Sequence, residues 1–182
     1  TSDHGEAFTE HGAWEHRTLH EEILRVPLLV RPPGGLAAGR RSAVSTSLLD
    51  LAPTLLEALG LDAPDHMQGR SLLPFEDAGD RSVLATGGER LRMSAVVHEG
   101  RKLIGEGERP RMAYDLSADP GERSNLVEDG RPRPAWSEEL VRALRVMFEE
   151  AEALRQRVGE PGAAGALSAE QLEALQALGY LR

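Results

Sequence analysis

The chain has no cysteine, few aromatic residues and no long apolar run. Because none of its 182 residues is cysteine, disulfides and cysteine-ligated metal sites are excluded. No apolar stretch approaches the roughly 20 residues that a membrane-spanning helix needs, and the first residues do not form a basic and then apolar leader. Acidic residues also outnumber basic ones, 30 against 21, which gives a net charge of −9. A negative charge disfavours nucleic acid and anionic membrane surfaces as partners.

The residues that are present have the composition of a globular protein, with 40% hydrophobic and 28% charged residues. The chain starts with Thr1 inside a polar motif rather than with methionine. We therefore expect a fragment whose N-terminal half, with any signal sequence or membrane anchor, precedes it.

The first six residues, Thr-Ser-Asp-His-Gly-Glu, contain the most distinctive chemistry of the sequence. Neighbouring Asp3 and His4 would point to opposite faces of a regular strand, so they can meet at one ion only where a strand ends and the backbone turns. Gly5 permits such a turn. A carboxylate and an imidazole are common metal ligands, which makes Asp3 and His4 a candidate metal site. The alternative interpretation is a solvated polar loop.

Further motifs follow this one in a fixed order. Residues 19–30 (LHEEILRVPLLV) come first, and four later motifs are VSTSLLDLAPTLL at 44–56, QGRSLLP at 68–74, GRKLI at 100–104 and YDLSADPGERSNL at 114–126. This series resembles the sulfatases of the alkaline phosphatase superfamily, in which a strand ends in Asp-Asn-Gly or Asp-His-Gly before a Tyr-Glu-x-x-x-Arg-Val-Pro segment. His20 stands at the position of that tyrosine, and we expect it to pack in the interior.

The resemblance implies an α/β fold in three parts. Residues 1–78 would be the C-terminal part of an alkaline-phosphatase-like α/β sandwich, 79–130 a small antiparallel sheet, and 131–182 a helical segment. Local patterns predict helices over 18–24, 50–59, 137–158 and 168–178, and strands over 26–30, 82–85, 93–98 and 102–104, with a further edge at 114–116. Thr18, Asp50 and Ser137 are the predicted N-caps of the first three helices.

The resemblance also implies roles for individual residues. Asp3 and His4 would bind a divalent metal ion, which is calcium in many relatives, although an imidazole ligand favours manganese, magnesium or zinc. His16 stands where relatives often have a lysine that contacts the sulfate and assists the leaving group, and a histidine can donate a proton near neutral pH. A surface position in a loop is the alternative for His16. His11 is a further candidate for lining the active site.

The implied function is hydrolysis of the sulfate ester of a small molecule or glycan, in the periplasm or outside the cell. The nucleophile of sulfatases is a formylglycine made from a cysteine or serine in the N-terminal half, so we expect the isolated fragment to be inactive. A phosphodiester or phosphonate monoester hydrolase of the same superfamily is an alternative. A non-catalytic binding module is another.

Overall fold

The structure is a computed structural model, and it describes residues 1–32, 39–75, 81–87, 93–107, 109–127 and 132–158. The chain divides into two compact units, Thr1–Phe148 and Glu149–Arg182. The helix predicted over 168–178 lies outside the described residues, and the predicted three-part division stays a prediction. Within the described residues, no helix combines the length and the apolar character that crossing a membrane requires.

A four-stranded antiparallel sheet forms the centre of the first unit. Its strands lie in chain order: β3 (Val83–Thr86), β4 (Ser94–His98), β5 (Arg101–Glu106) and β6 (Arg109–Asp115). Glu99 and Gly100, with φ of +47° and +70°, form the tight turn between β4 and β5, as predicted. The small antiparallel sheet is thus confirmed in the structure.

Strand β6 is longer than the predicted edge at 114–116, because it starts at Arg109. The first part of this strand was not predicted because it contains Pro110. Proline cannot donate a hydrogen bond to a neighbouring strand, so its presence argues against a strand interior. In the structure Pro110 pairs with Gly105 next to an irregularity in the register between Ile104 and Gly105, which is where a strand tolerates proline.

Each face of the sheet carries its own core. On one face the long helix, α3 (Ser137–Val158), covers the sheet. Leu140 and Leu144 are 2% and 1% exposed and pack with Val96, Leu103 and Ala113. The helix predicted over 137–158 is therefore confirmed. Its predicted N-cap is wrong: Ser137 is the first helical residue, and its buried Oγ has no hydrogen-bond partner.

The opposite face of the sheet holds the segment that follows the opening motif. Leu19 packs there with Ala95, Ile104 and Tyr114. The helix predicted over 18–24 is shorter in the structure, α1 (Glu21–Leu24), and its N-cap is His20 without a side-chain cap bond. Capping by Thr18 is wrong, since its buried Oγ1 has no partner.

The segment of residues 44–74 folds around a buried carboxylate. A 3₁₀ turn (Leu48–Asp50), capped by Ser47, leads into α2 (Leu51–Ala58). Asp50 is the N-cap residue of α2 as predicted, but its side chain makes no cap bond to that helix. Asp50 completes the capping box: Oδ2 accepts from Ser47 N at 2.9 Å, and Oδ1 accepts from Arg70 N at 2.9 Å. An ion pair with Arg81 joins this carboxylate to residues beside β3.

The predicted buried strand over 26–30 is wrong. These residues form no regular strand, and Leu29 and Val30 are 81% and 49% exposed. Apolar side chains of α2 and its C-terminal end are likewise exposed, Leu55 at 64% and Leu59 at 73%. A strand needs a neighbour to satisfy its backbone, and the described residues offer none to this run.

Candidate metal centre

Among the described residues of the first unit, two histidine-rich clusters occur, which we call the open cluster and the buried cluster. The open cluster consists of His4, Glu6 and His16, whose potential ligand atoms all lie within 4.8 Å of one another. All three side chains are exposed. Asp3 adjoins this cluster, with its Oδ2 3.7 Å from His4 Nε2.

The ring of His4 is held in an orientation that suits a metal ligand. Its Nδ1 lies 2.7 Å from the carbonyl oxygen of Gly5, which can only accept a hydrogen bond. In the neutral ring Nδ1 therefore carries the proton, and the lone pair is left on Nε2, which lies 3.7 Å from Asp3 Oδ2. Metal-binding histidines are commonly fixed in this way, with the second nitrogen donating to a carbonyl.

Gly5 is required for a different reason from the predicted one. It is not among the residues with positive φ. Instead it packs directly on α1: a Cβ at this position would lie 2.0 Å from the carbonyl oxygen of Glu22. Its amide also donates to the carbonyl of Ile23 at 2.8 Å. The metal motif is thus attached to the backbone of residues 22–23.

A short hairpin brings His16 back beside His4. Its strands are β1 (Ala7–Phe8) and β2 (Trp14–Glu15), and they pair antiparallel. Glu15 has a φ of +66°, which turns the chain just before His16. The rings of His4 and His16 have centroids 4.6 Å apart. Of the predicted site residues, Asp3, His4 and His16 therefore lie together.

Glu6 was not predicted as a site residue. The available signal was its position directly after Gly5 in the opening motif. Gly5 packs closely on residues 22–23, and the side chain of the next residue, Glu6, lies in the open cluster.

His11 lies in the buried cluster, with His20 and Glu22. Its Nδ1 is 2.8 Å from Glu22 Oε1, and its Nε2 is 3.1 Å from the carbonyl oxygen of Glu122. Both partners accept, so the ring donates from both nitrogens and is an imidazolium. His20 is 7% exposed and stacks on His11 with a centroid distance of 3.8 Å and an interplanar angle of 3°. The predicted packing role of His20 is confirmed.

Burial and neighbouring charges shift the pKa values of the two histidines of this cluster in opposite directions. Burial alone would lower the pKa of His11, but its bonds to Glu22 and to the Glu122 carbonyl outweigh that effect and raise it. Burial, helped by the charge of His11, lowers the pKa of His20 to about 4. Burial would raise the pKa of Glu22, yet the hydrogen bond from His11 lowers it. His11 and Glu22 form an ion pair, and His20 is neutral.

A buried lysine extends this cluster into the sheet. Lys102 of β5 is 0% exposed, and its Nζ lies 2.9 Å from Glu21 Oε1 and 2.8 Å from Glu122 Oε1. The other carboxylate oxygen of Glu122 accepts from Glu21 N at 2.6 Å. Sequence reasoning missed Lys102 and Glu122, although both lie within motifs that carry the family resemblance.

The buried cluster does not suit a metal ion. An imidazolium has no free lone pair, and two rings stacked in parallel planes cannot both aim a nitrogen at one ion. The open cluster fits better, because its carboxylate and imidazole groups are exposed and close together, and a backbone contact orients the ring of His4. Its oxygen and nitrogen donors match a divalent metal of the manganese or zinc type.

Comparison with known proteins shows which family this chain belongs to. Residues 9–83 match the family of the N-sulphoglucosamine sulphohydrolase C-terminal region. An N-acetylglucosamine-6-O-sulfatase of Bacteroides thetaiotaomicron is 32% identical over 69% of this chain and 25% of its own length. The chain belongs to the sulfatase family. The matched part is the C-terminal part of such proteins, and the chain covers 13% to 30% of the length of the curated relatives it matches.

Two further likenesses bear on fold and chemistry. A multifunctional alkaline phosphatase superfamily protein of Trinickia caryophylli is 30% identical over 71% of this chain and 30% of its own length. A solved structure in complex with its substrate, D-glucosamine-2-N,6-O-disulfate, superposes with a TM-score of 0.62 and 25% identity over 86% of this chain and 34% of that one. The predicted fold class, the C-terminal region of an α/β sulfatase with a small antiparallel sheet and helices, is thereby confirmed.

Proposed function

We propose that this chain is part of an enzyme that hydrolyses sulfate esters with the help of a divalent metal ion bound at the open cluster. The observation that supports this most directly is the convergence of Asp3, His4, Glu6 and His16 at one exposed place. The sulfatase relatives supply the reaction class, and metal dependence is general in their family.

Asp3 and His4 would hold the ion, with Glu6 as a further ligand from this chain. Such an ion supplies positive charge to the non-bridging oxygens of the ester. The chain's own contribution is orientation: the Gly5 carbonyl fixes the ring of His4, and the contact of Gly5 with Ile23 fixes the backbone of the motif. The imidazole of His4 favours manganese, magnesium or zinc, with calcium as the alternative.

His16 would donate a proton to the leaving oxygen of the ester. It is exposed and lies beside His4, so it can reach a substrate held at the cluster. Protonation matters because an alkoxide is a poor leaving group. The nucleophile would be a formylglycine outside this chain. His11 would act from behind the site rather than on substrate, because both of its ring nitrogens are engaged.

The substrate class we propose is a sulfated amino sugar or glycan. The N-acetylglucosamine-6-O-sulfatase and the neighbour with bound glucosamine disulfate both support this class. A phosphodiester or phosphonate monoester hydrolase is the second candidate, supported by the multifunctional superfamily relative.

A substrate panel assayed on the full-length enzyme tests the proposal. We expect turnover of glucosamine 6-sulfate and of 4-nitrophenyl sulfate that is lost with a chelator and restored by manganese or calcium. A higher kcat/KM for a phenylphosphonate monoester or for bis-nitrophenyl phosphate would favour the second candidate. No turnover of any ester in any metal would contradict both.

A further inference from the structure

The backbone of residues 21–23 is the support on which the metal motif rests. Gly5 donates its amide to the carbonyl of Ile23 at 2.8 Å, and it approaches the carbonyl of Glu22 so closely that a Cβ would lie 2.0 Å from that oxygen. Any displacement of residues 22–23 therefore displaces Gly5, and with it the neighbouring Asp3 and His4.

This support is itself held by one residue from a distant part of the chain. The Glu122 side chain accepts from Glu21 N at 2.6 Å, across 101 positions of sequence. Its main-chain carbonyl receives His11 Nε2 at 3.1 Å, and the same ring binds Glu22 at 2.8 Å. Glu122 thus holds Glu21 directly, through its side chain, and Glu22 indirectly, through its main-chain carbonyl and the ring of His11.

Glu122 is rigid enough for this task. It is 2% exposed and has a φ of +51°, in a turn closed by its own amide bonding to the carbonyl of Asp119 at 3.1 Å. Lys102 Nζ lies 2.8 Å from its Oε1, which offsets the cost of burying the carboxylate. A residue with unusual φ persists where the surroundings determine it, often next to a functional site.

We infer that Glu122 is a positioning residue for the metal centre, because it fixes the backbone of residues 21–23 to which the Asp3–His4 motif is hydrogen-bonded. The inference rests on the proposed metal site. Residues that act behind metal ligands typically change metal affinity or activity by about 10- to 100-fold when they are replaced. If Glu122 contributed only to stability, the charge that it presents to Lys102 would matter most. For a positioning role the length of its side chain matters as well, because the carboxylate must reach Glu21 N.

Two conservative variants of the full-length enzyme separate reach from charge. Glu122→Asp keeps the charge facing Lys102 and tolerates positive φ, but its shorter side chain cannot reach Glu21 N. Glu122→Gln keeps the reach and loses the charge. We expect Glu122→Asp to weaken manganese binding, measured by calorimetry, by about 10-fold or more, and Glu122→Gln to remain within about 3-fold of wild type.

Asp119→Asn is the matched control, because Asp119 lies in the same turn and its Oδ2 accepts from Ser124 N at 2.8 Å rather than from residues 21–23. We expect it to bind manganese like wild type. Equal affinity in Glu122→Asp and wild type, or a larger loss in Glu122→Gln than in Glu122→Asp, would overturn the inference. Asp3→Ala shows which of the two proposals is wrong. If Asp3→Ala also binds manganese normally, the proposed metal site is wrong. If Asp3→Ala loses binding and Glu122→Asp does not, only the role of Glu122 is wrong.

Should Glu122→Asp fail to fold, Gly5→Ala tests the same coupling from the motif side. The added methyl group would push the motif away from Glu22 and leave every ligand in place. Manganese binding should fall by about 10-fold or more in the folded variant. Unchanged affinity there would contradict the inference equally.

Discussion

The open and buried clusters offer the same kinds of side chain in opposite surroundings. Each brings two histidines and a glutamate within 4.8 Å, yet the members of one are all exposed and those of the other are half-buried or buried. In the buried cluster His11 is an imidazolium between two acceptors, and His20 is stacked on it. In the open cluster a backbone carbonyl leaves His4 Nε2 available. Proximity alone therefore does not identify a metal site, whereas the partners of each nitrogen do.

The largest difference between the clusters should appear on removing Asp3. In the full-length enzyme we expect Asp3→Ala to abolish metal-dependent turnover, because it removes a charged ligand beside His4 Nε2. Asp119→Ala should leave the chemistry intact, since the Asp119 carboxylate accepts from Ser124 N, outside the open cluster. Rate assays at matched amounts of folded protein would compare them, and equal losses would refute the distinction.

Lys102 tests whether the buried cluster is structural. Lys102→Met should lower the free energy of unfolding of the full-length protein by about 3 to 5 kcal/mol, because Glu122 then stays buried without its cation. Arg111→Met, which breaks the exposed pair with Glu106, should cost at most about 1 kcal/mol. Urea unfolding measures both, and similar costs would show that the buried pair is not structural.

His16 tests the open cluster by leaving-group dependence. A proton donor matters most for a poor leaving group, so His16→Ala should slow sugar sulfates about 10²-fold more than 4-nitrophenyl sulfate. His66→Ala, at an exposed position, should alter neither rate. A uniform loss across substrates would indicate sulfate binding instead, and no loss would return His16 to a surface role.

The smallest expected effect concerns the pH dependence of stability. The folded-state pKa of His20, lowered to about 4, lies below its unfolded value of 6.5, so the unfolded chain binds the extra proton between these pH values. Stability should therefore fall as pH drops from 6.5 toward 4, by on the order of 1 to 2 kcal/mol at pH 5. The folded-state pKa of His11 is raised above 6.5, so its contribution to stability should instead be lost as the pH rises through that raised pKa.

A His20→Phe variant keeps a flat ring on His11 and removes this titration, so its stability should vary less over that window. His66→Gln is the control and should keep the wild-type dependence. Unfolding midpoints at pH 7, 6 and 5 measure the change, and a slope in His20→Phe equal to that of wild type would assign it to other groups.

Sequence patterns predicted what depends on near neighbours. The strands of the small sheet and the helix α3 follow from local alternation and spacing, and so does the turn at Glu99–Gly100. Whether residues such as 26–30 form a strand depends on a neighbouring strand with which they can pair, and the local sequence pattern does not contain that information. The roles of Lys102 and Glu122 depend on contacts with Glu21 across 81 and 101 positions. Asp3, His4 and His16 were proposed from the family resemblance, and the short hairpin of β1 and β2 brings His16 beside His4.

Anomalous X-ray scattering from crystals of the full-length enzyme with manganese or zinc tests the central claim most directly. The account predicts a peak at bonding distance from His4 Nε2 and an oxygen of Asp3, about 2.1 Å for zinc and nitrogen. It predicts no peak between His11 and His20. A peak in the buried cluster, or none beside His4, would contradict it.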